Sequence, residues 1–142
     1  MMRVISVNIS LKVGEIKNPV PKGRFLTDYG MEGDAHGGSG RQVSLLARES
    51  YEKSEKTASL PWGSYAENIT TEGLPLHKLP VGTRMKIGTA ELEVTQIGKR
   101  CHAGCAIRDL TGDCVMPLEG IFARVIRCGE ILPGDSIEIL PR

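Results

Sequence analysis

Strict alternation of apolar and polar residues marks both ends of the chain as strands. Between Ile5 and Leu11 every second residue is apolar, and the residues between them are serine or asparagine. A period of two over this length is typical of a strand that buries one face. Residues 136–140 alternate in the same way after a Pro-Gly turn at residues 132–135, and they predict a closing strand.

A hairpin is predicted for residues 84–93. Residues 84–87 and 90–93 are joined by Gly88-Thr89, and a two-residue loop with glycine first favours a type II′ turn. This register places Met85 opposite Leu92 on an apolar face. On the other face it sets opposite charges across from each other. The charged pairs are Lys86 with Glu91 and Arg84 with Glu93.

Two further elements are predicted between these ends. Residues 42–46 form a short apolar run that indicates a strand. Residues 47–56 indicate a helix with a solvated face, because two acid–base pairs have i,i+4 spacing in the favourable order. These pairs are Glu49 with Lys53 and Glu52 with Lys56.

The remaining pattern completes a β-rich chain. Ser64 and Glu67 have the spacing of a helix capping box, and residues 121–127 fit either a strand or a short helix. With no linker or internal repeat, residues 1–142 are interpreted as a single domain. We expect a mainly β fold, a barrel of mixed strands with one or two short helices.

Composition narrows the classes of partner and the compartment. The 142-residue chain has a net charge of +1 and only 4% aromatic residues, so we expect no nucleic acid and no membrane partner. The N-terminus lacks the apolar core of a signal peptide. We therefore expect a cytoplasmic protein whose four cysteines are reduced thiols. Cys114 and Cys128 are interpreted as small buried hydrophobes.

Residues 96–105 are the stretch with the clearest candidate chemistry. Lys99, Arg100 and His102 surround Cys101, and neighbouring positive charge favours the reactive thiolate. Cys101 is thus a candidate nucleophile, persulfide carrier or ligand for a soft metal. A structural zinc site with His102, Cys105 and either Cys114 or His36 is a second interpretation. A redox dithiol is weaker, because three residues separate the two thiols, and an incidental thiol in a turn also stays open.

A second candidate lies in the glycine-rich stretch of residues 30–41. Glycines at this density permit tight turns and close approach of a ligand to the main chain. The stretch is either a binding loop around His36 or a flexible hairpin tip. Its glycine spacing matches neither a Walker A loop nor a dinucleotide fingerprint.

Four motifs in this order resemble a MOSC domain, the family named after the C-terminal domain of molybdenum cofactor sulfurase. The resemblance runs over nearly the whole chain and is to stand-alone, bacterial-type members. Where many relatives have Arg-x-Pro-Cys, this chain has Gly-Lys-Arg-Cys and adds a histidine and a second cysteine. The motifs are Gly30-Met31-Glu32-Gly33-Asp34-Ala35-His36-Gly37-Gly38, Arg41-Gln42-Val43-Ser44-Leu45-Leu46, Ala66-Glu67-Asn68-Ile69-Thr70 and the strand that ends at Cys101.

The resemblance implies a β-barrel-like fold and molybdenum cofactor chemistry. Cys101 matches the family cysteine that carries sulfane sulfur as a persulfide or ligates molybdenum of a bound molybdopterin. Some members reduce N-hydroxylated compounds, so the implied activity is that of a sulfur transferase or a molybdenum-dependent reductase. Implied cofactor contacts come from side chains and main-chain N–H groups. They are His36, Gly37, Gly38, Arg41 and Asn68. The residues around the thiol, rather than the resemblance, make Lys99 and Arg100 further candidate cofactor contacts and make Cys105 and His102 candidate metal ligands.

The resemblance also implies partners. No desulfurase domain and no pyridoxal phosphate site is visible in the chain, so a cysteine desulfurase or other sulfur donor would act in trans. An electron-transfer protein would be required for reduction, and molybdoenzymes would receive the cofactor. The alternative is a non-catalytic module that binds and delivers the cofactor or a metal, with the zinc site at Cys101, His102 and Cys105.

Overall fold

The computed structural model describes residues 2–53, 55–73, 76–98 and 119–141. Within these ranges the chain is mainly β, with two single-turn α-helices and one 3-10 turn. The strands are β1 (Arg3–Ile9), β2 (Asn18–Val20), β3 (Gly23–Leu26), β4 (Gly30–Met31), β5 (Val43–Ala47), β6 (Ile69–Glu72), β7 (Arg84–Ile87), β8 (Ala90–Ile97), β9 (Ile121–Arg127), β10 (Gly129–Ile131) and β11 (Ile137–Ile139). The helices are α1 (Arg48–Tyr51) and α2 (Glu55–Ala58), and the 3-10 turn spans Leu76–Lys78.

Most of these strands belong to one curled sheet of mixed direction. Its order is β11-β7-β8-β9-β5-β6-β1-β2, and β10, β3 and β4 form a second sheet. The two ends approach each other where Arg3 forms an isolated bridge with Ser136 and the N–H of Val4 donates to Asp135 O. Among the described residues no continuous ladder joins β1 to β11, so the barrel is incompletely closed. The predicted mainly β class with mixed strands and short helices is confirmed.

The predicted hairpin is confirmed residue by residue. β7 and β8 pair in the predicted register, and Met85 and Leu92 are both fully buried in the core. Gly88 has a φ of 57°, whereas Thr89 lies outside the positive-φ region, as a type II′ turn requires. Burying two such side chains contributes about 1.5–3 kcal/mol each to folding.

The alternation in β1 is only partly reflected in burial. Its register against β6 shifts between Val4 and Ser6, so that both Val4 and Val7 are 0% exposed. The opposite face is also covered, because Asn8 is 0% exposed. Leu11 was predicted on the core face, yet it is 86% exposed because it lies beyond the end of the strand.

The helix predicted over residues 47–56 is interrupted, and it forms the single turns α1 and α2. Glu49 does not pair with Lys53: its carboxylate accepts the main-chain N–H of Gly73, and Lys53 pairs instead with Glu119. The predicted i,i+4 pair is therefore wrong, although Glu52 and Lys53 are exposed as predicted for a solvated face. Contacts distant in the sequence determine which partners these charges have.

The C-terminal elements follow the predictions except at one cysteine. Residues 121–127 form strand β9, and the turn at residues 132–135 leads into β11. Cys128 is exposed, so its interpretation as a buried hydrophobe is wrong. Cys114 lies outside the described residues. No helix in the described part of the chain is long and apolar enough to cross a membrane.

Candidate functional site

Both ends of the segment that contains Cys101 meet at one point of the large sheet. The N–H of Gly98 donates to Gly120 O at 2.6 Å, and Ile97 pairs with Ile121. Residues 99–118 between them lie outside the described residues. The predicted site residues in that segment are Lys99, Arg100, Cys101, His102 and Cys105.

Arg41 lies close to this point. Its guanidinium carbon is 5.4 Å from the ring centroid of Phe122, the second residue of β9. Phe122 pairs with Ser44 on one side and with Gln96 on the other, so it belongs to the strands next to Gly98 and Gly120. Arg41 is exposed, and none of the ion pairs among the described residues involves it. An exposed guanidinium without an ion-pair partner among the described residues is suited to bind an anionic oxygen group.

His36 lies against a buried ion pair formed by Lys17 and Asp34, and these three residues are called the His36 cluster. Lys17 Nζ is 2.8 Å from Asp34 Oδ1, and both side chains are 0% exposed. Asp34 also accepts the main-chain N–H groups of Ser10 and His36, each at 3.1 Å. His36 Nδ1 lies 3.2 Å from Lys17 Nζ, and the imidazole is 20% exposed.

Asp34 is the negative partner that makes this cluster stable. Burial would raise the pKa of its carboxyl, but the nearby His36 side chain, the hydrogen bond from Lys17 and the two main-chain N–H donors outweigh that effect. Together they hold the pKa of Asp34 well below its usual range. Asp34 is therefore a carboxylate at neutral pH and compensates the buried ammonium of Lys17.

The glycine-rich loop is closed by its own hydrogen bonds. The N–H of Gly37 donates to Asp34 O at 3.1 Å, and that of Gly38 donates to Tyr29 O at 2.8 Å. A Cβ at Gly37 would lie 2.5 Å from the Tyr29 ring, and Gly38 has a φ of 78°. The main-chain donors predicted to cradle an anion thus already have partners within the protein. Cofactor binding by Gly37 and Gly38 stays a prediction without support from this geometry.

Asn68 is placed in the interior of the sheet. It is 0% exposed, its Oδ1 accepts the N–H of Ser44 at 3.1 Å, and its Nδ2 donates to Asn8 O at 3.3 Å. Its main-chain N–H also donates to Ser44 O at 2.8 Å. The amide therefore links β5 to β1, and its predicted contact with a cofactor stays a prediction.

Glu67 forms a buried cluster that sequence spacing did not reveal. Its Oε2 accepts the hydroxyl groups of Tyr51 at 2.6 Å and Thr70 at 2.8 Å. The main-chain N–H groups of Gly63 and Tyr65 also donate to the carboxyl, each at 3.2 Å. These five residues are called the Glu67 cluster. Burial raises the pKa of Glu67, and the predicted capping box is wrong because strand β6 follows rather than a helix.

A cleft of about 260 Å³ borders the other end of the segment at Glu119. Ser50 and Lys53 both donate to the Glu119 carboxylate, and His77 lines the same cleft. Burial would raise the pKa of Glu119, but these hydrogen bonds outweigh it and lower the pKa. The cleft escaped sequence reasoning because its residues come from separate segments with no shared motif.

The predicted metal ligands fall outside this description. In the ranges that the structure covers, no three His, Cys, Asp or Glu side chains are arranged to hold a metal ion. The predictions of molybdenum at Cys101 and of zinc at Cys101, His102 and Cys105 concern residues beyond those ranges. Both stay predictions.

Comparison with known proteins places the chain in a family. Residues 32–138 match the model of the MOSC domain. The protein YflK of Bacillus subtilis is 26% identical over 145 residues, which cover 93% of this chain. The chain spans 65% of the length of that relative.

Solved structures share the fold. The crystal structure of YuaD from Bacillus subtilis has a TM-score of 0.79 at 20% identity and covers 98% of this chain and 96% of its own. YiiM from Geobacillus stearothermophilus has a TM-score of 0.74 at 21% identity, with 100% of this chain and 76% of that chain covered. YiiM from Escherichia coli has a TM-score of 0.72 at 21% identity, with 100% and 71% covered. The chain therefore belongs to the MOSC domain family, which is associated with molybdenum cofactor-related function.

Proposed function

We propose that the protein binds the molybdenum cofactor at the surface around Gly98 and Gly120, near the two ends of the segment that contains Cys101. Cys101 is then the molybdenum ligand or the carrier of sulfane sulfur. The observation that carries the proposal is the position of Arg41. This exposed guanidinium lies over the ring of Phe122, two residues after Gly120, whose carbonyl accepts the N–H of Gly98.

Arg41 fits the anionic part of such a cofactor. Its guanidinium offers several donors in a planar fork, which matches phosphate oxygens. Contact with the Phe122 ring contributes about 0.5–1 kcal/mol and restricts the side chain to one region of the surface. An ordered cation without an acidic partner in the described part of the chain is therefore available to an anion.

The sequence around Cys101 supports the second half of the proposal. Lys99 and Arg100 precede the thiol directly, and positive charge favours the thiolate, the form that binds metals and attacks sulfur. The bound cofactor would supply redox chemistry at molybdenum, which in this family includes reduction of N-hydroxylated compounds. A sulfur donor or an electron donor would act in trans.

Purification from cells that make molybdopterin tests the proposal. Molybdenum content and intact mass are measured for the parent, for Cys101→Ser and for Cys128→Ser. Cys128 is an exposed thiol on the β9–β10 side of the molecule, so its variant is the matched control. Arg41→Met tests the cationic contact and should lower cofactor occupancy about tenfold, which corresponds to about 1.4 kcal/mol.

The outcomes separate the two roles of Cys101. Molybdenum lost in Cys101→Ser and retained in Cys128→Ser identifies a metal ligand. An adduct of about 32 Da on the parent, absent in Cys101→Ser, identifies a persulfide carrier. Equal molybdenum, mass and turnover of an N-hydroxylated base in all three proteins would overturn the assignment of Cys101.

A further inference from the structure

We propose that Lys17 and Asp34 are positioning residues that fix His36 as its Nε2–H tautomer. His36 then presents a hydrogen-bond donor to an oxyanion-bearing ligand. The identity of that ligand rests on the proposed function, namely binding of the molybdenum cofactor. The tautomer itself is a property of the protein without ligand.

The contact between Lys17 and His36 determines the tautomer. An ammonium group has only donors, and Lys17 Nζ lies 3.2 Å from His36 Nδ1. Nδ1 must therefore accept, which leaves the ring proton on Nε2. The opposite tautomer would bring two donors face to face at this distance.

Asp34 explains why the ammonium is held there. Its carboxylate oxygen is 2.8 Å from Lys17 Nζ, whereas its other oxygen is 3.6 Å from His36 Nδ1, too long for a hydrogen bond. The same carboxylate accepts the main-chain N–H of His36 at 3.1 Å, so it also fixes the backbone that carries the ring. The pair therefore orients the imidazole through both its side chain and its main chain.

Burial determines which edge of the ring is available. The side chains of Lys17 and Asp34 are 0% exposed, and the imidazole is 20% exposed. Because Nδ1 faces the buried ammonium, the exposed edge of the ring is the one that includes Nε2. A donor at that edge suits phosphate or another anionic oxygen. It does not suit a metal ion, which requires a free lone pair.

Side-chain NMR of the apo protein tests the tautomer. The chain has three histidines, and His36→Gln assigns the His36 signals in a long-range ¹H–¹⁵N spectrum at pH 8. We expect a pyridine-like Nδ1 and a pyrrole-like Nε2. In Lys17→Met the Nδ1–H form should become populated, since Nδ1 is then free to donate to Asp34, whereas the signals of His77 should not change.

A double variant keeps the test informative if Lys17→Met alone does not fold. Lys17→Met leaves a buried carboxylate unpaired, but Lys17→Met/Asp34→Asn removes both charges and is expected to fold. Loss of the pure Nε2–H form in that double variant supports the inference. A parent with an Nδ1–H ring, or a double variant with an unchanged Nε2–H ring, overturns it.

Inorganic phosphate is the probe for the ligand. A saturable shift of the His36 signal in the parent, weaker by about tenfold in the double variant, is the expected result. If phosphate causes no saturable shift, the ligand half of the inference is overturned and the tautomer stands. Molybdenum content is measured separately, so failure of the proposed function gives a different result.

Discussion

Removal of one hydroxyl in Tyr51→Phe tests whether the Glu67 cluster stabilises the fold. The Tyr51 hydroxyl donates to Glu67 Oε2 at 2.6 Å and accepts the N–H of Ser64 at 3.1 Å. Tyr51, Ser64 and Glu67 are all buried, so water does not replace the lost partner. The substitution keeps the ring, which packs edge to face on Tyr65 with centroids 4.9 Å apart.

The expected loss comes mainly from the hydrogen bond to Glu67. A hydrogen bond to a charged group contributes about 1.5–3 kcal/mol. The N–H of Ser64 keeps a second acceptor, Pro61 O at 3.2 Å, so it is not left without a partner. We therefore expect the free energy of unfolding to fall by about 1.5–3 kcal/mol, which for a chain of this length corresponds to a decrease in Tm of about 5–9 °C.

The fall in free energy of unfolding caused by Tyr51→Phe should grow as the pH rises. The folded pKa of Glu67 is raised by burial, and the hydrogen bond from Tyr51 partly opposes that rise. The contribution of such a group is fully present below its unfolded pKa and is lost as the pH rises through its folded pKa. Tyr51→Phe raises that folded pKa further, so its cost at pH 8 should exceed its cost at pH 5.

Urea denaturation at both pH values measures the effect. The matched control is Tyr29→Phe, because the Tyr29 hydroxyl forms no hydrogen bond in the described part of the chain and the residue is 40% exposed. Its cost should stay within about 0.5 kcal/mol. In a Glu67→Gln background the pH dependence of Tyr51→Phe should disappear. The reasoning is refuted if Tyr51→Phe costs no more than Tyr29→Phe.

Two further substitutions test the surroundings of these clusters. Asp34→Asn leaves the buried ammonium of Lys17 without its carboxylate and should cost about 3–5 kcal/mol at pH 7. The folded pKa of Asp34 is depressed, so its contribution to stability is lost as the pH falls. Urea denaturation should therefore show that the difference in free energy of unfolding between the parent and Asp34→Asn narrows below about pH 4. An equal difference at pH 3 and pH 7 would contradict the role of Asp34 as the carboxylate partner of Lys17. Gly63→Ala should cost at least about 2 kcal/mol more than Gly14→Ala in thermal unfolding: both glycines have positive φ, but only at Gly63 would the new Cβ collide with the carbonyl oxygen of Lys17. Equal losses at the two glycines would show that the collision is relieved at no cost.

Local chemistry was sufficient to predict the hairpin of β7 and β8. A two-residue turn and alternating charges fix its register within residues 84–93. The faces of β1 were not predictable in this way. The bulge that brings both Val4 and Val7 into the core arises in its pairing with β6, more than sixty residues later in the chain.

The candidate site shows the same division. The glycine-rich stretch was predicted to be either a binding loop around His36 or a flexible hairpin tip, but its partner Lys17 lies between two predicted elements and has no motif of its own. Glu67 was singled out by its spacing from Ser64 and by its family motif, but neither reveals its main donor. Tyr51 meets it only when β5, α1 and β6 come together. Partners contributed by tertiary structure leave no periodicity to detect.

Gly63 connects the two buried clusters. Its carbonyl accepts the N–H of Lys17 at 2.8 Å, and its own N–H donates to Glu67 Oε2 at 3.2 Å. The backbone of Lys17 is therefore held by a residue that the Glu67 carboxyl holds in turn. A φ of 92° and the close approach of the Lys17 carbonyl leave room only for glycine at this position.

This connection gives the motif residues two distinct roles. Asp34, Glu67 and Asn68 are buried and bind other parts of the chain, whereas His36 is partly exposed and Arg41 is exposed. The buried residues hold the backbone from which the exposed ones project. A substitution in the Glu67 cluster that leaves the protein folded should therefore reach His36 through Gly63 and Lys17. The family motifs then describe one scaffold with a small exposed surface, rather than a set of residues that all touch a ligand.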